Sequence, residues 1–162
     1  MFNPEKKQIL KTIILCLVTL LLTFPKLGGF ILGFVLLFLV PSLLKSLYFI
    51  IIKNKERKQR TIQTLLWTVT CSIIIIHHVY LHKTTQNFAI KVSNSVLSYK
   101  QERGNYPESY EVLGFDKKIM REYRLYYSYK DKTPYLFYPA TWIPFDTYIF
   151  NFETHRWDYQ AD

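Results

Sequence analysis

The sequence predicts two parts: a membrane α-helical part with three transmembrane helices, and a small soluble α+β domain in which a long helix is followed by an antiparallel sheet. Three observations predict this. Three long apolar runs fill the first half of the 162-residue chain and none follows. The positive charge is concentrated in that half. The last forty residues alternate aromatic and polar side chains between turn signals, as half-buried strands do.

The third apolar run, residues 61–82 (TIQTLLWTVTCSIIIIHHVYLH), is the pivot. It holds about 22 residues without Asp, Glu, Lys or Arg, enough at 1.5 Å per residue to cross a hydrocarbon core of about 30 Å. A helix pairs all its backbone polar groups internally, as lipid requires. Trp67 lies toward one end and Tyr80 with three histidines at the other, where amphipathic rings favour the interface. Lys53, Lys55, Arg57, Lys58 and Arg60 flank its start, so the positive-inside rule places that flank in the cytoplasm and the following domain outside it.

The two earlier runs fit the same topology. Residues 9–24 follow Lys6, Lys7 and Lys11. No small-residue cleavage pattern comes after them, so they read as an uncleaved first helix with its N-terminus inside. Residues 25–29, PKLGG, make a tight turn. Residues 30–52 return inward, with Pro41 as a kink site and Lys45 snorkelling toward the headgroups. Residues 53–60, KNKERKQR, are the cytoplasmic loop. The division expected is therefore 1–82 in the membrane and 83–162 outside.

Charge excludes one function class. The net charge of +9 invites a nucleic-acid reading, but residues 1–82 carry ten Lys/Arg against two Asp/Glu, whereas 83–162 carry eleven against ten. The charge is a topology signal beside membrane helices, and no nucleic-acid partner is expected. Both cysteines, Cys16 and Cys71, fall within apolar runs, so no disulfide framework holds the soluble domain.

In that domain, Phe88, Val92, Val96 and Tyr99, with Ala89 and Leu97, have helical spacing, and Gly104 and Pro107 mark the stop. A short helix is expected at 108–113. Tyr123, Leu125, Tyr127 and Tyr129 alternate as a strand, residues 130–133 turn, and residues 134–138 return. Residues 147–152 and 155–159 form a second hairpin around Glu153-Thr154.

The stretch AIKVSNSVLSYKQERGNYPESYEVL, residues 89–113, resembles the globular start of type IV pilins and type II secretion pseudopilins. The matching residues are Tyr99, Gly104, Tyr106, Pro107 and Leu113. The resemblance covers about 25 residues closely and implies a pilin-like fold, with the long helix first and the sheet after it. Before the third run there is no Gly-Phe processing pair and no glutamate at its fifth position, and no carboxylate cluster matches the pseudopilin calcium loop. The resemblance therefore implies the domain shape and not assembly into a pilus.

Candidate chemistry is sparse. His78 and His82 stand at i, i+4 and would share a helix face. Zinc would need further ligands, and His155, Asp116 or Glu102 are the residues that could supply them. The competing reading is interfacial histidines at the outer end of a membrane helix. The serines lie in no nucleophile-elbow context, no Gly-rich phosphate loop occurs, and His155 with Asp158 reads as hairpin neighbours. No enzyme and no cofactor are expected. Eleven of the thirteen tyrosines follow His82. They supply buried area to a small core, and those left outside suit an interface. Tyr126, Tyr127, Tyr129, Tyr135 and Trp142 are the candidate contact residues. The expectation is a non-catalytic bacterial inner-membrane protein. Its partners would be the lipid bilayer and a protein in the periplasm or membrane. Its role would be of the immunity type, against a toxin acting at or through that membrane. The alternatives are an accessory of a pilus or type II-like secretion machine, and a metal-dependent periplasmic enzyme.

Overall fold

The computed structural model describes residues 4–26, 28–52, 57–143 and 145–161. The chain divides into two compact units, Met1–Val79 and Tyr80–Asp162. Lys53 and Lys55 of the basic flank lie outside the described residues.

The first unit contains α1 (Pro4–Thr23), α2 (Gly29–Ile52) and the start of α3 (Arg57–Arg103). Two helices, α2 and α3, are long and apolar enough to cross a membrane. α1 is not among them, because Lys6, Lys7 and Lys11 occupy its first two turns. Besides the apolar Leu32, Leu39 and Ile74, this unit buries polar side chains and leaves many large apolar ones exposed. Thr12, Thr19, Thr23, Ser46, Thr70 and His78 are buried, while Leu21, Phe34, Leu37, Phe38, Ile51 and Ile76 are exposed. In water that arrangement forfeits the hydrophobic term; in lipid it costs nothing, and interior polar groups hold helices together.

The buried polar groups of α1 recur at 12, 19 and 23, with Cys16 between them, and so share one face. That face meets α3. Gln59 donates to Gln8, Gln63 Nε2 to Thr12 Oγ1 at 3.2 Å, and His78 Nε2 to the Thr23 carbonyl at 2.8 Å. Both members of each pair rise in number together, so α1 and α3 run parallel. α2 joins through Ser46, 3.1 Å from Thr64 across the hydroxyls. Pro41 lies inside α2, which continues through it.

The second unit begins on α3. Ala89, Val92 and Val96 are fully buried there and recur at helical spacing. Gly104 takes φ 78° and donates to the Lys100 carbonyl at 2.8 Å, ending the helix in the left-handed conformation that glycine adopts without strain. A 3₁₀ turn (Tyr110–Leu113) and a short helix α4 (Lys117–Glu122) follow, the latter capped by Asp116, whose carboxylate accepts from the Lys118 N–H at 3.0 Å.

Four strands, β1 (Tyr126–Lys130), β2 (Thr133–Pro139), β3 (Thr147–Asn151) and β4 (Arg156–Gln160), form an antiparallel sheet in the order β1-β2-β3-β4. One face packs Leu136, Tyr138 and Phe150 into a core with Ala89, Val92, Val96, Met120 and Leu125. The first strand starts three residues later than alternation suggests. Arg124 has φ 52°, and Leu125 donates to the Met120 carbonyl, so residues 123–125 still belong to the exit from α4.

Candidate functional site

The sheet register divides the candidate aromatics between two faces. Tyr127 and Tyr129 are half-buried on the core side, and Tyr127 Oη donates to the Pro107 carbonyl at 2.6 Å. Burial raises the Tyr127 pKa above the ordinary tyrosine value, with the neighbouring Tyr129 and Tyr106 adding to it. Tyr127 packs on the core and ties the sheet to the turn after α3.

Tyr126 and Tyr135 lie on the opposite face, 50% and 45% exposed. The register places Tyr126 opposite Phe137, Phe137 opposite Ile149, and Ile149 opposite Asp158, so one continuous row crosses all four strands. Tyr126 stacks on Phe137 with ring centroids 5.0 Å apart, and Tyr135 lies against the same ring at 5.1 Å. Burial lowers the pKa of the half-buried Arg124, and the neighbouring Tyr126 partly offsets this. The result is an apolar aromatic row with a cation at one end and the Asp158 carboxylate at the other. Flat, rigid aromatic rings flanked by charge suit protein contact. Phe137 and Ile149 were not among the sequence candidates, although strand alternation from Tyr135 carries the signal for Phe137.

Trp142 is half-buried in the segment between β2 and β3 and lies outside that row. The segment is pinned by Asp146, whose buried carboxylate accepts from the Tyr159 hydroxyl and whose backbone pairs with Ala140.

The histidines are engaged separately. His78 belongs to the first unit, with Nε2 on the Thr23 carbonyl. His77 Nε2 donates to the Phe24 carbonyl at 3.1 Å, and its ring stacks on Phe24. These carbonyls lie at the C-terminal end of α1, where both rings act as a cap. His82 belongs to the second unit, its ring 5.4 Å from Tyr148 and 6.5 Å from Tyr138. Asp116 is committed to the α4 cap, and His155 is exposed at φ 55° in the β3–β4 turn. Among the described residues no group of three or more His, Cys, Asp or Glu is placed to hold a metal. Of the basic flank, Arg57 and Lys58 are exposed on the first turn of α3, while Arg60 is half-buried with its guanidinium 5.6 Å above the Phe49 ring. Compared with known proteins, the chain matches no family model, no curated protein and no solved structure.

Proposed function

We propose that the chain is a non-catalytic, membrane-anchored binding module. Three helices embed it in a bacterial inner membrane with the N-terminus inside, and its α+β domain works on the periplasmic side. The observation that carries the binding role is the row Tyr126-Phe137-Ile149, half-buried at Phe137 and Ile149 and exposed at Tyr126, with the exposed Tyr135 beside it. Embedding of α1 is supported by its buried Thr12, Thr19 and Thr23 and its exposed leucines. Orientation is supported by the cations at the start of α1 and of α3 against Lys26 alone in the first turn.

Within this class the reading is an immunity-type protein that meets a toxin at the membrane. Small size, several helices and a short exported domain with an aromatic contact face suit that role. A photoreactive residue at Tyr135, activated in living cells of the native host, tests it. Capture of a toxin, with loss of protection in a deletion strain, supports the reading; a deletion strain as resistant as its parent overturns it. The orientation is tested by fusing alkaline phosphatase after Asp162, where an inactive fusion rejects the periplasmic assignment.

A second reading, an accessory of a pilus or type II-like secretion machine, is favoured by the left-handed Gly104 followed by Tyr106, which packs on Phe152, and the buried Pro107. This turn leads a long helix into a sheet, the order the pilin resemblance implies. Capture of pseudopilins at Tyr135 selects it over the first.

A further inference from the structure

The sheet of the second unit has two unlike ends. The register puts the β1–β2 and β3–β4 turns at one end and the β2–β3 segment, residues 140–146, at the other. The end with two turns is charged: Lys130, Asp131 and Lys132 are exposed in or beside one turn, and Glu153, His155 and Arg156 in or beside the other. The opposite end is apolar. Ile143 is 49% exposed there and Phe145 72%, more than any other large apolar side chain described in this unit. The only charged residue of the segment, Asp146, is buried, and its carboxylate accepts from the Tyr159 hydroxyl. The segment is closed on itself: Ala140 donates to the Asp146 carbonyl at 2.8 Å, and Asp146 to that of Ile143 at 3.2 Å. Two large apolar side chains held out from a closed segment forfeit in water the stabilisation that burial would give them.

Their place in the fold names what covers them. Tyr148, one residue into β3, lies 5.4 Å from the His82 ring, and Tyr138, one residue before the end of β2, lies 6.5 Å from it. At the other end Phe152 packs on Tyr106, whose hydroxyl accepts from Lys100 in the last turn of α3. β3 therefore advances in the same sense as α3, and the 140–146 segment stands where α3 enters the unit. His82 is the last residue of the apolar run. A strand rises about 3.3 Å per residue and a headgroup layer is about 6 Å deep, so the segment begins within that depth of the end of the run. Tyr80 and Lys83 are exposed on the same stretch of α3, a ring and a cation that suit the layer. We propose that Ile143 and Phe145 form a membrane-docking tip, seated among the lipid headgroups of the leaflet from which α3 emerges. Apolar side chains presented in this way bury themselves at the boundary between headgroups and acyl chains. The tip ties the sheet to the bilayer at a second point besides α3. The inference rests on the reading of α3 as a membrane span.

The test places the photoreactive residue benzoylphenylalanine in turn at Phe145, Lys132 and Ile76 of the full chain, purified into phosphatidylcholine vesicles, and reads the photoproducts by mass. Ile76, exposed in the apolar run, reports the span; Lys132, exposed at the charged end of the sheet, reports the reach of the probe itself. Lipid adducts at Phe145 are expected to exceed those at Lys132 at least about tenfold, the shift that burying one large apolar side chain produces. Lipid at Ile76 with equal adducts at Phe145 and Lys132 overturns the tip while the span stands. A crosslinked pair of chains at Phe145 in place of lipid overturns it in favour of contact between copies. Absence of lipid at Ile76 as well overturns the span, and the proposal falls with it.

Discussion

Tyr127 on β1 donates its phenol hydrogen to the carbonyl of Pro107 at 2.6 Å, joining the sheet to the turn that ends the long helix. Tyr138 on β2, 1% exposed in the core, has no hydrogen-bond partner for its hydroxyl among the described residues. The two tyrosines look alike in sequence and differ in energetic role. Tyr127→Phe is expected to destabilise the chain by about 1 kcal/mol, the net worth of a hydrogen bond plus the orphaned carbonyl. Tyr138→Phe is expected to be neutral or stabilising. Denaturant titration of the detergent-solubilised chain, followed by near-ultraviolet circular dichroism, checks the contrast.

Burial raises the pKa of both phenols, chiefly by excluding water from the charged form. The folded state thus holds these protons more tightly than the unfolded one. The stability they confer is fully present below the ordinary tyrosine pKa of about 10 and is lost as pH rises through the raised folded values. Stability is therefore expected to be flat to about pH 9 and to fall above pH 10 by up to about 1.4 kcal/mol per pH unit for each phenol. The Tyr127→Phe, Tyr138→Phe double variant should lose most of this dependence in the same titration.

The β1–β2 hairpin closes with Asp131 at φ 51° and Lys132 at φ 65°, two left-handed residues in succession. This is the turn that Asn-Gly makes without strain. Lys132→Gly is expected to stabilise the domain by about 1 kcal/mol, read as a higher denaturation midpoint with an unchanged slope.

Gly28 sits where a Cβ would lie 2.3 Å from the Thr23 carbonyl oxygen, the acceptor of the His78 ring. Gly28→Ala must displace that carbonyl, and with it the cap on α1. A loss of more than about 2 kcal/mol is expected, seen as a lowered melting temperature in detergent. Gly33→Ala has open space around its Cβ and is expected to hold or gain up to about 1 kcal/mol.

Tyr126→Ser and Tyr135→Ser remove exposed rings of the outer row. Each is expected to cost less than about 1 kcal/mol in stability, a cross-strand pair's worth, while sharply reducing crosslinking to the partner. Folding is followed by melting and the partner by capture in cells.

Much of this architecture is legible in the chain. Apolar runs give the helices, Phe88-Val92-Val96 gives the core face of α3, and Gly104 gives its end. What escapes the sequence depends on tertiary context. α4 buries only Met120 and so has no periodic face, although Asp116 at its start is a cap signal. β1 is shortened by the left-handed backbone at Arg124, a conformation arginine rarely takes. At the candidate site, alternation makes each tyrosine's partner-facing or core-facing role a matter of strand parity, which locating the start of β1 decides. The i, i+4 pair of His78 and His82 is likewise ambiguous until the end of α1 supplies a carbonyl for His78 and the sheet supplies Tyr148 for His82.

The inward threonines of the first unit bear on how the chain enters a bilayer. Thr12 donates to the Gln8 carbonyl, Thr23 to that of Thr19, and Thr70 to that of Leu66, each within its own helix. A hydroxyl that is self-satisfied in this way is tolerable to hydrocarbon before any partner arrives. On the three-span reading, the hairpin of α1 and α2 can therefore wait in the membrane while α3 is still being synthesised. The carbonyls of Phe24 and Thr23 gain the rings of His77 and His78 only when α3 arrives. Insertion and assembly then become separate steps, with the histidines as the latch that closes the second.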